Sequence, residues 1–279
     1  MTISTLNKKR AAFAAISGML VTAGLVTWRL LAARRFAAKV RDLFAHSDDV
    51  SGQHVRYEQL DELPAPVQRY FRHVLKDGQP YISAVRLRHG GLFRTGLTKD
   101  WVSIRGEQYF TTAIPGFIWR GRTRMFTATD QYVAGKGSLV VSAGGFINVV
   151  DESGPELDQG ELLRWLGESV WFPTNLLPGK KLQWLPIDEN TAKLVFTHQA
   201  MSVSFNVTIN DTGEITQLET QRFMGKMLES WVIKLSDYLP LYGMLIPTVT
   251  EAIWRLKAGD VSYAKFDLEE IEYDVARPF

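Results

Sequence analysis

The chain has 279 residues, 46% apolar and 22% charged, and this composition is typical of a folded protein. Cysteine is absent, which excludes disulfides and thiolate metal sites. The net charge of +2 is unevenly divided, because residues 1–150 carry 21 Lys/Arg and 10 Asp/Glu whereas residues 151–279 carry 11 and 20. A nucleic-acid-binding domain is usually basic throughout, so this division argues against a nucleic-acid partner.

An uncharged segment, AAFAAISGMLVTAGLVTW, runs from Ala11 to Trp28. As a helix it would span about 27 Å, close to the ~30 Å hydrocarbon core of a bilayer. The apolar run resumes after Arg29, and Trp28 suits the membrane interface. We therefore predict a transmembrane helix at residues 11–33, after a basic flank at residues 1–10. A cleaved signal peptide and a buried soluble helix are the alternatives. However, no small-x-small cleavage site precedes the next charges, and a soluble helix is rarely apolar on every face over this length.

Positive charge flanks both ends of this segment, and positive residues mark the cytoplasmic side. The two ends carry similar numbers of positive residues, so the sequence does not decide on which side of the membrane the rest of the chain lies. Residues 34–56 are predicted to form a juxtamembrane basic helix or linker. Within them, four apolar residues at helical spacing suit a helix lying on anionic headgroups or a continuation of the anchor helix: Phe36, Val40, Leu43 and Phe44.

The rest of the chain is predicted to be α+β and mostly β. An amphipathic helix is expected within residues 57–80, where LPAPVQRYFRHVL places apolar residues at i, i+3, i+4 and i+7. Residues 81–279 contain roughly ten strand-like segments with short connections, too many for a flat open sheet. We expect one domain, built as a strongly curved antiparallel sheet or half-closed barrel with a few covering helices.

One helix is expected inside this domain, near residues 158–171, in the stretch GPELDQGELLRWLGESVWFPTNLL. Asp158 is predicted to cap it, its leucines to face the sheet and its acids to face water. The alternative is a working site for acid chemistry or a hard cation formed by Glu156, Asp158 and Glu161.

Alternating arginines give a second candidate site. Arg120, Arg122 and Arg124 should project from one face of a strand, and Arg86 and Arg88 repeat the spacing earlier. Guanidinium groups so placed suit phosphate or anionic lipid, or form a solvated face balanced by acids such as those of FDLEEIEYD.

Eight tryptophans are present, and their large rings either line an apolar cavity or fill the core. With the arginines, they make a tentative ligand-binding set: Trp119, Trp165, Trp171, Arg120, Arg122 and Arg124.

No catalytic or metal-binding motif stands out, because the five histidines are scattered and no HExxH, GxSxG, P-loop or GxGxxG pattern is present. The sequence therefore predicts no cofactor and no metal, and it favours a protein that is not an enzyme.

Several phrases together resemble a known family: LPAPVQRYFRHVL, GLFR, GPELDQGELLRWLGESVWFPTNLL and W-x-x-ID-x-x-x-A. The family consists of bacterial membrane-anchored proteins known only as a domain of unknown function, and the likeness covers most of the chain after about residue 55. The resemblance implies a bacterial source and supplies no catalytic residues.

Three hypotheses follow. The first is a single-pass protein of the bacterial cytoplasmic membrane whose β-rich domain binds a lipid or other apolar ligand near the bilayer. The second is a membrane-tethered hydrolase that uses the acids around Glu161. The third is a non-catalytic envelope scaffold that docks protein partners.

Overall fold

The computed structural model describes residues 24, 26–145 and 147–279. The predicted basic flank at residues 1–10 and most of the predicted span at residues 11–33 lie outside them. No helix in the described part of the chain is both long enough and apolar enough to cross a membrane.

A single antiparallel sheet dominates the described residues. Its strands are β1 (Ala84–Phe93), β2 (Val102–Ser103), β3 (Arg105–Thr111), β4 (Gly116–Arg122), β5 (Phe126–Val133), β6 (Lys136–Ala143), β7 (Ile147–Ser153), β8 (Leu182–Pro186), β9 (Thr191–His198), β10 (Met201–Ile209), β11 (Ile215–Met224), β12 (Met227–Leu241), β13 (Met244–Leu256) and β14 (Gly259–Tyr273). Their order is β7-β6-β5-β4-β3-β1-β14-β13-β12-β11-β10-β9-β8, with β2 paired to β1.

The sheet is not closed, because β7 and β8 stand at the two ends of this order. Residues of β6 and β7 nevertheless line the same cavity as residues of β11 and β12, far along the sheet. The sheet must therefore bend around that space, and the mostly β, antiparallel and unclosed architecture expected from the sequence is confirmed.

The expected number of about ten strands is too low, because tight turns that contain glycine divide the chain into more strands. Ala134 and Gly135 both have positive φ (52° and 81°), and they turn β5 into β6. Gly144 and Gly145 (57° and 81°) do the same between β6 and β7. The 15-residue strand β12 is not evident from the sequence, because Asp237 and Pro240 interrupt its alternation of apolar and polar residues. In the structure Asp237 has a positive φ of 56°.

Helices cover both faces of the sheet. Helix α1 (residues 26–45) lies on the outer face of its first half, and helix α3 (Pro155–Glu168) packs on the inner face. Helix α2 (Ala65–Val74) begins after Pro64 and buries Val67, Phe71 and their neighbours in the main core. Short 3₁₀ turns lie at Tyr57–Leu60, Ser169–Trp171 and Pro173–Leu176.

The apolar stripe of α1 contacts protein, not lipid headgroups. Phe36, Val40, Leu43 and Phe44 are buried together with Ala84, Tyr109 and Ile118 of the sheet. The placement of these four residues on anionic headgroups is therefore wrong, because the outer face of β1, β3 and β4 offers them an apolar surface. The cations around them, including Arg34, Arg35, Lys39 and Arg41, remain exposed.

Candidate functional site

A cavity of about 820 Å³ opens on the inner face of the sheet, beside α3. Side chains from β4 to β7, from β11 to β14 and from α3 line it, and most of them are apolar. The aromatic members are Phe93, Trp119, Phe126, Trp171, Phe223, Trp231, Trp254, Tyr263 and Phe266. A volume of about 300–1,000 Å³ is typical of small-molecule sites, so the space suits a ligand with a large apolar part.

Glycines in the sheet allow the ring of Trp119 to lie against the backbone. A Cβ on Gly121 would come within 2.2 Å of the indole, and one on Gly106 within 2.0 Å of the His89 ring. These two glycines are directly paired across β3 and β4. Gly106 and Gly121 therefore leave room for the aromatic side chains that form this part of the cavity wall.

His89 is buried beside Trp119, whose indole N–H donates to His89 Nε2 at 2.8 Å. An acceptor at Nε2 places the ring proton on Nδ1, which faces the carbonyl of Gly90 at 3.3 Å. Burial lowers the pKa of His89 to about 4. The ring is therefore neutral at pH 7 and serves as a packing and hydrogen-bonding group.

Helix α3 begins earlier than expected, and two of its acids, Asp158 and Glu161, do not face water. It starts at Pro155, after Gly154 at φ 130°, so Asp158 does not cap it. Asp158 instead accepts from the backbone N–H of Gly137 at 2.7 Å and from Lys136 Nζ at 2.9 Å. Asp158 and Glu161 are only 4% and 2% exposed. The expectation of solvated acids is thus wrong, because the helix lies across the β5–β6 turn and over the cavity.

The three acids proposed as an alternative site do not act together. Glu156 pairs with Lys226 at 2.7 Å, Asp158 with Lys136, and Glu161 with Arg222 at 2.9 Å. Each carboxylate bonds to a different cation, and only Glu161 lines the cavity.

Glu161 instead belongs to a buried ionic cluster, which we define as Asp130, Glu161, Arg164, Glu168 and Arg222. Arg164 contacts Asp130 at 2.6 Å and Glu168 at 2.9 Å, and Arg222 contacts Glu161. All five side chains line the cavity. The two guanidinium groups also lie over aromatic rings, Arg164 over Trp119 at 5.0 Å and Arg222 over Trp231 at 4.4 Å.

The charges of this cluster do not cancel, because three carboxyl groups face two arginines. Burial, and then the carboxylate of Asp130, raise the pKa of Glu161 to about 8. Burial also raises the pKa of Glu168. A proton on Glu161 neutralises the cluster, since like-charged carboxyls in an apolar site do not both ionise readily.

The candidate residues predicted from the sequence divide between the two faces. Trp119 and Trp171 line the cavity, whereas Trp165 lies in the core and donates its indole N–H to the Thr111 carbonyl at 2.9 Å. Arg120, Arg122 and Arg124 do not line the cavity. Arg120 and Arg122 are on the outer face, and Arg124 follows the end of β4 in an exposed turn.

Acids of neighbouring strands pair with the arginines of the outer face. Glu107 of β3 pairs with Arg120 and lies 3.5 Å from Arg122. Glu272 and Glu270 of β14 pair with Arg86 and Arg88, at 2.6 and 2.9 Å. The balancing acids include those of FDLEEIEYD, as one of the two sequence interpretations expected.

Sequence reasoning missed Asp130, Arg164, Glu168 and Arg222, which come from β5, α3 and β11. Only one signal was available, in α3, where Glu161, Arg164 and Glu168 recur at spacings of three and four and so share one helix face. Their partners on the strands carry no local motif. Among the described residues, no group of three or more His, Asp or Glu side chains is arranged to hold a metal ion.

Comparison with known families places the chain. A model for a family of unknown function, DUF6544, matches residues 53–266. The chain belongs to this family, which confirms the resemblance; the bacterial source remains a prediction. No curated protein matches the sequence.

Solved structures give only distant similarity. A domain from Vibrio parahaemolyticus described as an outer membrane lipoprotein-sorting protein is 6% identical, with a TM-score of 0.38 over 69% of this chain and 86% of its own. A LolA superfamily protein from Nitrosomonas europaea is 10% identical, with a TM-score of 0.38 over 74% and 91%. A DUF1329 family protein from Desulfovibrio piger is 12% identical, with a TM-score of 0.39 over 86% and 93%.

Proposed function

We propose that this protein binds a lipid-like molecule in the inner-face cavity, with the cavity mouth at a bilayer surface. The observation that carries the proposal is the cavity itself. It has a volume of about 820 Å³ and a mostly apolar lining, and the sheet bends around it. An apolar cavity of this size is costly to leave in water and suits an alkyl chain.

The mouth of the cavity is marked by lining residues that are also exposed. Met125, between β4 and β5, and Val149 of β7 are 64% and 60% exposed. Ile147, Met227 and Leu228 are likewise exposed beside the lining residues of β7 and of the β11–β12 turn. We call these five residues the apolar rim. Exposed apolar side chains beside an apolar cavity support contact with lipid.

The N-terminal sequence supports the same orientation. The described part of α1 begins beside the β6–β7 turn, since a Cβ on Gly145 would lie 3.2 Å from the Trp28 ring. Trp28 is the last residue of the uncharged run that begins at Ala11, and Ile147 of the rim follows Gly145 by two positions. A transmembrane helix at residues 11–33 would hold the rim near the headgroups, and a bacterial cytoplasmic membrane remains the predicted location.

A chain-length series tests binding in the cavity. Full-length protein in a non-ionic detergent is titrated with straight-chain alcohols of eight, ten and twelve carbons, corrected for partition into detergent alone. Each buried methylene contributes about 0.8 kcal/mol, so the dissociation constant should fall about three- to fourfold per carbon. Trp231→Ala removes a ring from the cavity wall and enlarges the cavity, so the dissociation constant of this variant should change less with each added carbon. Absence of binding for all three alcohols would refute the proposal.

Position at the bilayer can be tested because the chain contains no cysteine. Met125→Cys and Ile147→Cys, each labelled with an environment-sensitive fluorophore, should shift to the blue when the full chain is moved from detergent into lipid nanodiscs. Leu185→Cys is the matched control, since Leu185 is also exposed but lies on β8 at the other edge of the sheet. Equal shifts at the three positions would reject the orientation.

The hydrolase hypothesis has less support, because the acids at Glu156, Asp158 and Glu161 bond to separate cations. The scaffold hypothesis gives no reason for a large apolar cavity with buried charges. Binding of a lipid-like molecule with a polar end gives a reason for both the apolar cavity and the buried charges.

A further inference from the structure

Two carboxylate oxygens at the cavity lack a hydrogen-bond donor. Asp130 Oδ1 and Glu161 Oε2 are buried and have no partner, although Asp130 Oδ2 accepts from Arg164 and Glu161 Oε1 from Arg222. The two residues are 8% and 2% exposed, and both line the cavity. A buried acceptor without a donor is costly, so these oxygens call for a proton or for a donor supplied by a ligand.

The surrounding charges decide what kind of donor fits. Glu168 and Arg164 face the pair from α3, Arg222 from β11, and the phenol of Tyr263 from β14. Three carboxyls against two guanidinium groups leave one negative charge when all are ionised. An added carboxylate would double this excess, whereas an added ammonium would cancel it. Both arginines already have carboxylate partners, so the cluster has no excess positive charge to attract an anion.

We propose that the cavity selects a lipid-like ligand whose polar end is a hydrogen-bond donor, preferably a primary amine, accepted by Asp130 Oδ1 and Glu161 Oε2. This inference rests on the proposed function and adds the chemical class of the ligand head. The ammonium takes the place of the proton on Glu161, and that proton leaves to solvent. The apolar part of the ligand then lies against Trp231, Trp254 and Phe266 in the rest of the cavity.

Three probes of equal chain length separate the head from the chain: decylamine, decanol and decanoate, titrated into the full-length protein at pH 7 in one non-ionic detergent. Their partition into the detergent alone is measured and subtracted. We expect decylamine to bind at least about tenfold more tightly than decanoate, with decanol between them. Calorimetry in buffers of different ionisation enthalpy should show up to one proton released per decylamine bound, and none for decanol.

Glu161→Gln is the decisive variant. It removes the excess negative charge, and its amide can donate to Asp130 Oδ1 while its oxygen accepts from Arg222. The preference for decylamine over decanol should fall to within about twofold, and proton release should disappear. Glu156→Gln is the matched control, because it makes the same change on the same helix at a residue paired with Lys226 outside the cavity.

The outcomes are distinguishable. Equal binding of the three probes to the unmodified protein, or tighter binding of decanoate, would overturn the amine assignment and leave lipid binding in place. Failure of all three probes to bind would overturn the proposed function as well. If Glu161→Gln does not fold, proton release by the unmodified protein still decides, since an amine that binds elsewhere would release none.

Discussion

Two arginine–carboxylate ion pairs, one on each face of the sheet, lie in opposite settings. On the outer face, Arg88 pairs with Glu270, and the two side chains are 47% and 43% exposed. On the inner face, Arg164 pairs with Asp130 and Glu168, and all three side chains are 11–14% exposed. Solvent screens the first pair, whereas the second lies against an apolar cavity. Burial alone does not set the candidate site apart, because Arg120 and Glu107 of the outer face are also only 14% and 17% exposed. The apolar cavity and the extra carboxyl group of the inner face are what distinguish it.

Removing the central arginine of the buried cluster should produce the largest effect. Arg164→Met keeps most of the side-chain volume but leaves Asp130 and Glu168 without their cation. We expect a loss of about 3–5 kcal/mol in the free energy of unfolding, measured by urea unfolding followed by near-ultraviolet circular dichroism.

Arg88→Met is the matched control on the outer face. Exposed ion pairs contribute about 0–1 kcal/mol, so this variant should unfold close to the unmodified protein. Equal losses from the two substitutions would show that the cluster is not electrostatically distinct.

The pH dependence of stability should reveal the excess acid on the inner face. The pKa of Glu161 is raised to about 8 by burial and by Asp130, from an ordinary value of 4.5. Between these values the folded state binds more protons than the unfolded state, so the free energy of unfolding falls as pH rises. The stabilising contribution is fully present below pH 4.5 and is lost as pH passes 8.

Glu161→Gln should remove this slope, which amounts to a few kcal/mol at most across the window. His89, with a pKa lowered to about 4, adds an opposite slope between pH 4 and 6.5 in both proteins. The test therefore compares the free energy of unfolding of the two proteins at each pH, because the contribution of His89 cancels in the difference. Glu156→Gln should leave the slope intact, since the pKa of Glu156 lies below the window. Parallel curves for Glu161→Gln and the unmodified protein would contradict the assignment.

The sequence predicted the sheet well because strand alternation and turn residues are local signals. Asn210, for example, accepts at its side chain from the backbone N–H of Glu214, in a turn completed by Gly213 at φ 96°. These residue types favour a turn by themselves, without any contact from elsewhere in the chain.

The cavity and the cluster could not be predicted in the same way, since Asp130 and Arg222 are 92 positions apart and meet only after the sheet bends. The solvated acids of α3 were expected because acids at a helix start have a sufficient local cause. Glu161 shows the limit of that argument, because the face a helix buries depends on the sheet beneath it.

The smallest change in the free energy of unfolding is expected for one of two arginines that the sequence analysis placed in the same group. Arg120 and Arg122 both approach Glu107, but their side chains are 14% and 57% exposed. Arg120 also lies over the ring of Phe36 at 3.5 Å, so it links α1 to the outer face. Arg122→Met should change the free energy of unfolding by less than about 0.5 kcal/mol, and Arg120→Met should cost about 1–2 kcal/mol. Hydrogen exchange should increase in α1 of Arg120→Met alone. If Arg122→Met destabilised the protein as much as Arg120→Met, exposure at Arg122 would not predict the cost of its removal. The unpaired oxygens of Asp130 and Glu161 would then be the remaining difference between the outer face and the cavity.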